Sequence, residues 1–96
     1  MTEKKLETLA ETFNLLASEV KLKILLALDD GSKSVKELTE IVRGRASQSS
    51  VSQHLKLFRW KRIVKSERRG SYILYSLTGE GKRIVSIVKE IAGVIK

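Results

Sequence analysis

The 96-residue sequence contains no cysteine and no proline, and His54 is its single histidine. The lack of thiols excludes disulfides, thiolate metal ligands and a cysteine nucleophile. No apolar run approaches the ~20 residues that a membrane-spanning helix needs, and the N-terminus leads into an amphipathic pattern rather than a signal core. We therefore expect a cytoplasmic location, no membrane partner and no cofactor.

Acidic residues are absent from residues 41–66, and the positive charge is concentrated around that segment. The formal net charge is +8, and residues 43–72 hold nine Lys and Arg against Glu67 alone, which equals the whole excess. A basic run is often only a solvated surface. Its confinement to one supersecondary unit favours a polyanionic partner instead.

Hydrophobic periodicity predicts five helices and one hairpin within a single domain that covers residues 1–96. Ser18 is suited to cap the second helix, which is apolar nearly all round and therefore expected to be central. The stretch from Ser34 to Glu37 is a capping box that opens the third helix. The helices are predicted at about 3–17, 19–29, 35–42, 48–61 and 79–95.

The middle of the chain has the pattern of a helix-turn-helix followed by a hairpin. Two short helices joined by a turn with Gly44 form the helix-turn-helix unit, residues 35–61. Strands rich in β-branched and aromatic residues follow at 63–67 and 72–77, with two arginines and Gly70 between them. A hairpin in this position is a wing, residues 63–77. The fold class is thus predicted as mainly α, a winged helix-turn-helix with a two-stranded wing.

The fourth helix separates polar from apolar residues. At about 100° per residue, Val51, Leu55 and Phe58 fall on one side. The other side carries amides and hydroxyls near the helix start and cations further along, as a reader of the DNA major groove requires. The predicted base-reading residues are Gln48, Ser49, Ser52 and Gln53. The predicted contacts to the DNA backbone, including the wing, are Arg45, Ser47, Lys56, Arg59, Lys65, Arg68 and Arg69.

These segments resemble the ArsR/SmtB-type winged-helix repressors of bacteria and archaea. The resemblance covers residues 16–77 and is carried by Leu-Ala-Ser-Glu-Val-Lys-Leu-Lys-Ile-Leu at 16–25, Ser-Val-Lys-Glu-Leu at 34–38, Ser-Gln-Ser-Ser-Val-Ser-Gln-His-Leu-Lys-Leu at 47–57 and Gly-Ser-Tyr-Ile-Leu-Tyr-Ser-Leu at 70–77. It implies a homodimer whose operator DNA is contacted by Gln48, Ser49, Ser52 and Gln53.

The sequence departs from this family at two points. Metal sensors of the family often carry a cysteine cluster in the third helix, or histidine and acidic ligands on the last helix. Here the third helix has no thiol and the last helix offers only Glu80 and Glu90, so we predict no metal site of either kind. The family's glycine-containing turn after the fourth helix is replaced by Trp60-Lys61-Arg62.

His54 lies beside the apolar side of the fourth helix. A single imidazole with only hydroxyls nearby cannot make a metal site, so a hydrogen-bonded structural role is favoured over a ligand or a proton switch. A nucleophile–base pair would also depend on His54, and the six glycines form no phosphate loop. We therefore predict that the chain is not an enzyme.

The terminal helices, residues 1–17 and 79–96, are the predicted dimerisation segments. Both carry apolar stripes, which cover the domain's own core in part. A core of this size cannot absorb all of them, so a two-fold dimer is expected. The predicted interface residues are Leu6, Leu9, Phe13, Ile84, Ile87, Val88, Ile91, Val94 and Ile95.

The function that the sequence favours is sequence-specific binding of double-stranded DNA. We expect a transcriptional regulator, a homodimeric repressor on a pseudo-palindromic operator. The alternative is a winged-helix interaction module that binds a protein partner or RNA. No residue pattern identifies a small-molecule effector.

Overall fold

The computed structural model describes residues 1–95, which form five helices and three strands. In chain order these are α1 (Glu3–Leu16), α2 (Glu19–Asp29), β1 (Lys33–Ser34), α3 (Val35–Ile41), α4 (Gln48–Trp60), β2 (Val64–Arg69), β3 (Tyr72–Leu77) and α5 (Gly79–Val94). The predicted mainly α, winged helix-turn-helix architecture is confirmed. Lys96, the last residue of the predicted segment 79–96, lies outside the described residues.

Each described helix begins at a hydroxyl side chain that accepts a hydrogen bond from a backbone N–H three residues further on. Such a cap satisfies an N–H that has no partner within the helix and contributes about 1 kcal/mol. At Ser34 the cap is reciprocal, because the Glu37 carboxylate accepts from the Ser34 N–H at 3.0 Å. The capping residues are Thr2, Ser18, Ser34, Ser47 and Thr78.

The hairpin belongs to a three-stranded antiparallel sheet with the order β1-β3-β2. The short strand β1 pairs with β3 through Lys33 and Ser34, and the sequence pattern did not predict it because it has only two residues. Strand β2 is longer than predicted and includes both Arg68 and Arg69. The turn is therefore made by Gly70 and Ser71 alone, with Gly70 at φ +62° as the first central residue of a type II′ turn requires.

The hydrophobic core lies between α2, α3 and α4 and is closed by the sheet and α5. Ile24, Leu38, Val51, Leu55 and Phe58 are fully buried in it. Helix α5 crosses close to the turn that links α4 to β2, where a Cβ atom on Gly81 would lie 2.1 Å from the carbonyl oxygen of Ile63. Only glycine allows this approach, which ties the last helix to the wing.

The turn after α4 closes the helix without a glycine. Arg62 takes the left-handed conformation, with φ +60°. Its N–H donates to the Arg59 carbonyl at 3.0 Å, and the Ile63 N–H donates to the Phe58 carbonyl at 2.9 Å. This is the Schellman arrangement, which normally places glycine in the left-handed position. The Thr78 hydroxyl reinforces it by donating to the Arg62 carbonyl at 2.7 Å.

Candidate nucleic-acid interface

Helix α4 buries one side and presents its polar side to solvent. Val51, Leu55 and Phe58 are packed in the core, whereas Gln48, Ser49 and Gln53 are exposed and Ser52 is half-buried. Within residues 1–95, no hydrogen bond engages the side chain of any of these four polar residues. Their amide and hydroxyl groups are thus available to an external partner over the first two turns of the helix.

Arg45 and Ser47, which lie shortly before α4, already have partners in the chain. The Ser47 hydroxyl accepts from the Ser50 N–H at 3.1 Å and caps the helix. Arg45 donates to the Glu19 carboxylate at 2.7 Å, which links the turn of the helix-turn-helix to the start of α2. Both residues of this pair are more than half exposed, so the pair contributes little to stability and leaves Arg45 able to exchange partners.

The cations further along divide between two faces of the wing. Arg59 donates to the Ser66 hydroxyl at 3.0 Å and so connects α4 to β2. Since side chains alternate along a strand, Arg68 lies on the same face as Ser66, and Lys65 lies on the opposite face. The structure therefore does not bring Lys65 together with Lys56 and Arg59.

Arg69 shares the face of Lys65 but stands at the end of the strand, beside the turn. Its Nε donates to the Glu67 carboxylate at 3.1 Å. Both side chains are more than half exposed, so this pair, like that of Arg45, leaves the arginine able to exchange partners. Of the two arginines at the tip of the wing, Arg68 is the one that faces α4, because it shares the face of Ser66.

Trp60 is a surface residue that the sequence interpretation missed. Its side chain is 80% exposed, and it lies four residues after Lys56 and seven after Gln53, on the same flank of α4. It borders an open groove between α4 and the wing. The lining residues are Lys56, Arg59, Trp60, Arg62, Ile73 and Tyr75. Continuing the polar flank of α4 by one more turn along the sequence would have included Trp60.

His54 is half-buried beside the core side of α4. Its Nε2 lies 3.3 Å from the Ser50 hydroxyl. Burial lowers the pKa of this imidazole below its ordinary value, and the positive charge of Lys21 lowers it further. The neutral ring is therefore favoured in the folded protein. A hydrogen-bonded structural role for His54 stays a prediction.

A second, apolar surface lies on α1 and α5. Phe13 of α1 is 53% exposed and Ile87 of α5 is 54% exposed, whereas Ile84 and Val88 pack partly on the core. An apolar groove of about 360 Å³ joins the two helices. Phe13 and Ile91 line this groove. We call the exposed apolar residues on and next to α1 and α5 the apolar surface: Leu6, Leu9, Phe13, Ile87, Ile91, Val94 and Ile95.

The described residues also bear on metal binding and on membrane insertion. Residues 1–95 contain no group of three or more His, Cys, Asp or Glu side chains placed to hold a metal ion. No helix among them combines the length and apolar character that crossing a bilayer demands.

Comparison with known proteins identifies the family. Residues 9–96 match the family described as "Methanogenesis regulatory protein FilR1, N-terminal domain". The chain belongs to this family. The resemblance to ArsR/SmtB-type regulators is confirmed as well, because curated relatives bear those names.

The relatives are regulators of transcription. The chain is 41% identical over 73 residues to the HTH-type transcriptional regulator KmtR of Mycobacterium tuberculosis, covering 76% of this chain and 55% of KmtR. It is 35% identical over 72 residues to the HTH-type transcriptional repressor SmtB of the same species, covering 75% and 52%. The chain thus spans about half the length of these relatives. Their names describe regulators, in agreement with the prediction that the chain is not an enzyme.

Solved structures support the same fold. The quinone-bound YodB of B. subtilis superposes with a TM-score of 0.77 at 29% identity, covering 91% of this chain and 93% of YodB. YodB is described as a transcriptional regulator, and the likeness extends over nearly the whole of both chains.

Proposed function

We propose that this chain is a homodimeric, sequence-specific DNA-binding repressor of transcription. The observation that carries the proposal is the polar flank of α4, whose amides and hydroxyls have no partner within residues 1–95 and lead directly into a group of cations. The names of the family relatives support the same class of function.

The first two turns of α4 supply base recognition. Gln48 and Gln53 can each make paired hydrogen bonds to adenine, and Ser49 and Ser52 adapt to several base edges. An α-helix fits the major groove, and this flank is the one that the core leaves uncovered. We therefore assign sequence preference to these four side chains.

The cations around the helix supply affinity through the DNA phosphates. Lys56, Arg59 and Arg68 lie on one continuous side of α4 and the wing, with Arg69 at the wing tip. Neutralised phosphates release counterions, so affinity falls steeply with salt. Arg45 and Ser47 approach the DNA backbone at the start of α4. Lys65 contacts DNA only if the flanking duplex reaches the far face of the wing.

The apolar surface is the proposed dimer interface. All eleven residues from Met1 to Glu11 are exposed, and α1 gives only Leu15 and Leu16 to the core. A helix of this length is marginal in water without a surface to pack on. A second copy supplies that surface, and a two-fold axis sets the two α4 helices about 34 Å apart, one turn of DNA.

The residues of this chain do not supply the Cys or His metal ligands expected of the family's metal sensors. The chain has no cysteine, its one histidine is His54 on α4, and α5 carries only Glu80 and Glu90 as anionic side chains. We therefore propose regulation by another signal than a transition metal bound at those sites.

The proposal is tested by titrating the protein with labelled random duplex, a selected duplex and structured RNA at several salt concentrations. We expect the selected duplex to bind best, with log Kd rising steeply with log salt. Gln53→Ala should reduce the preference at one base pair by roughly 1–3 kcal/mol and leave binding to random duplex unchanged. Preference for RNA, or a shallow salt dependence for all ligands, would show an interaction module of another kind.

A further inference from the structure

The groove between α4 and the wing is lined by side chains to which we have assigned no role in reading bases. Three cations (Lys56, Arg59 and Arg62) line it together with Trp60, Ile73 and Tyr75. Its volume is about 770 Å³, many times the ~10–15 Å³ that holds one water molecule. The groove therefore suits an extended group with both anionic and apolar parts, rather than a single ion.

The position of Trp60 along α4 shows which part of a duplex it would meet. Trp60 lies seven residues beyond Gln53, which is about 10 Å along the axis of an α-helix. The major groove is about 12 Å wide. With α4 directed across the groove and Gln53 at the base edges, Trp60 stands at the rim of the groove, where the sugar–phosphate backbone runs.

We propose that this groove binds the sugar–phosphate backbone of one DNA strand, with the indole of Trp60 packed against a deoxyribose. The inference rests on the proposed function and adds a contact to it. Lys56, Arg59 and Arg62 pair with successive phosphates, and the apolar C–H face of the sugar covers the ring. An indole combines a large apolar body with one polar edge, so covering it at a wet interface is favourable. The backbone carries both charge and apolar sugar, and the groove offers both cations and apolar side chains.

Trp60 is the only tryptophan of the chain, so its fluorescence reports on this site alone. Wild-type protein is titrated with duplex while anisotropy of the labelled DNA and Trp60 emission are followed together. We expect both signals to saturate at the same stoichiometry. Bound duplex should also protect the indole from acrylamide quenching several-fold.

Variants separate this contact from the others. Trp60→Ala should weaken binding about fivefold for every duplex sequence and leave the salt dependence unchanged, because the lost group is neutral. Trp60→Phe should retain most of the affinity. Leu57→Ala, which removes an apolar side chain from the flank of α4 that faces α1, is the matched control and should bind like wild type. Thermal melts check that all variants fold.

Three results would overturn the inference while leaving the proposed function intact. Anisotropy could report binding while Trp60 emission and quenching stay constant. Trp60→Ala could change base preference, which would make Trp60 a base contact. Single-stranded DNA could protect Trp60 better than duplex, which would indicate stacking on an unpaired base. Absence of any anisotropy change with duplex would instead reject the proposed function itself.

Discussion

Two exposed surfaces of the protein differ in their chemistry. One is the face formed by α4 and the wing, and the other is the apolar surface of α1 and α5. The first carries hydrogen-bonding groups and cations with no acidic residue from 41 to 66. The second exposes large aliphatic side chains and Phe13. A core of fourteen buried residues is too small to cover everything the helices present. The proposed function assigns these two surfaces different partners, one polyanionic and one apolar.

We expect the largest loss of stability from a substitution where α5 contacts the turn before the wing. Gly81→Ala places a Cβ against the Ile63 carbonyl oxygen, a backbone atom that cannot move without shifting the wing. We expect a loss of about 3 kcal/mol in the free energy of unfolding, or a fall in Tm of roughly 12–24 °C. Gly79→Ala is the matched control because nothing lies near its added Cβ. Equal melting of the two variants would contradict the packing described.

A charged substitution tests whether the apolar surface is the dimer interface. Ile87→Asp should produce monomers and weaken binding to a duplex with two half-sites about a hundredfold, since the second half-site is then no longer tethered. Ser86→Asp introduces the same charge on the exposed polar side of α5, about 100° round the helix from Ile87, and should stay dimeric. Sedimentation and anisotropy measure both effects. A dimeric Ile87→Asp variant would place the interface elsewhere.

Within the basic face, the two sides of the wing should differ. Arg68→Ala removes a cation that faces α4, so we expect affinity to fall several-fold for every sequence and the slope of log Kd against log salt to decrease by about one unit. Lys65→Ala removes the same charge from the other face and should change both quantities less. Titrations at four salt concentrations decide this. The reverse order would show that DNA lies across the far face of the wing.

The smallest expected effect concerns His54. Burial holds its pKa below the ordinary value of 6.5, so the folded chain binds this proton less readily than the unfolded chain. The contribution of His54 is therefore complete above pH 6.5 and is lost as the pH falls through the lower, folded pKa. Urea unfolding between pH 8 and pH 5 should show this decrease in wild type and a weaker one in His54→Gln. Identical pH profiles would rule out His54 as its source.

Local rules account for what the sequence predicted well. The starts of the helices were predictable because hydroxyl caps such as Ser18, Ser34 and Ser47 act within three residues. The exposed flank of α4 was predictable because Val51, Leu55 and Phe58 define the buried flank by periodicity alone. Both features depend on residues close together in the chain.

Features that depend on contacts between distant parts of the chain were not predicted from the sequence, or were predicted in the wrong place. Strand β1 exists only through its pairing with β3, and its two residues carry no pattern of their own. The direction of Lys65 follows from the register of β2, which places Ser66 opposite Tyr75. Arg62 adopts a positive φ because the buried Phe58 and Ile63 enforce the turn, a constraint that residue identity does not reveal.

If the polar flank of α4 reads duplex DNA as a symmetric pair, this can be seen by selecting bound sequences from a random duplex pool and footprinting the enriched ones. We expect an enriched site of two inverted half-sites with centres about 10 bp apart, protected on one side of the helix. A pool that stays unenriched after repeated rounds, or a Gln48, Gln53 double alanine variant that selects the same site, would contradict it.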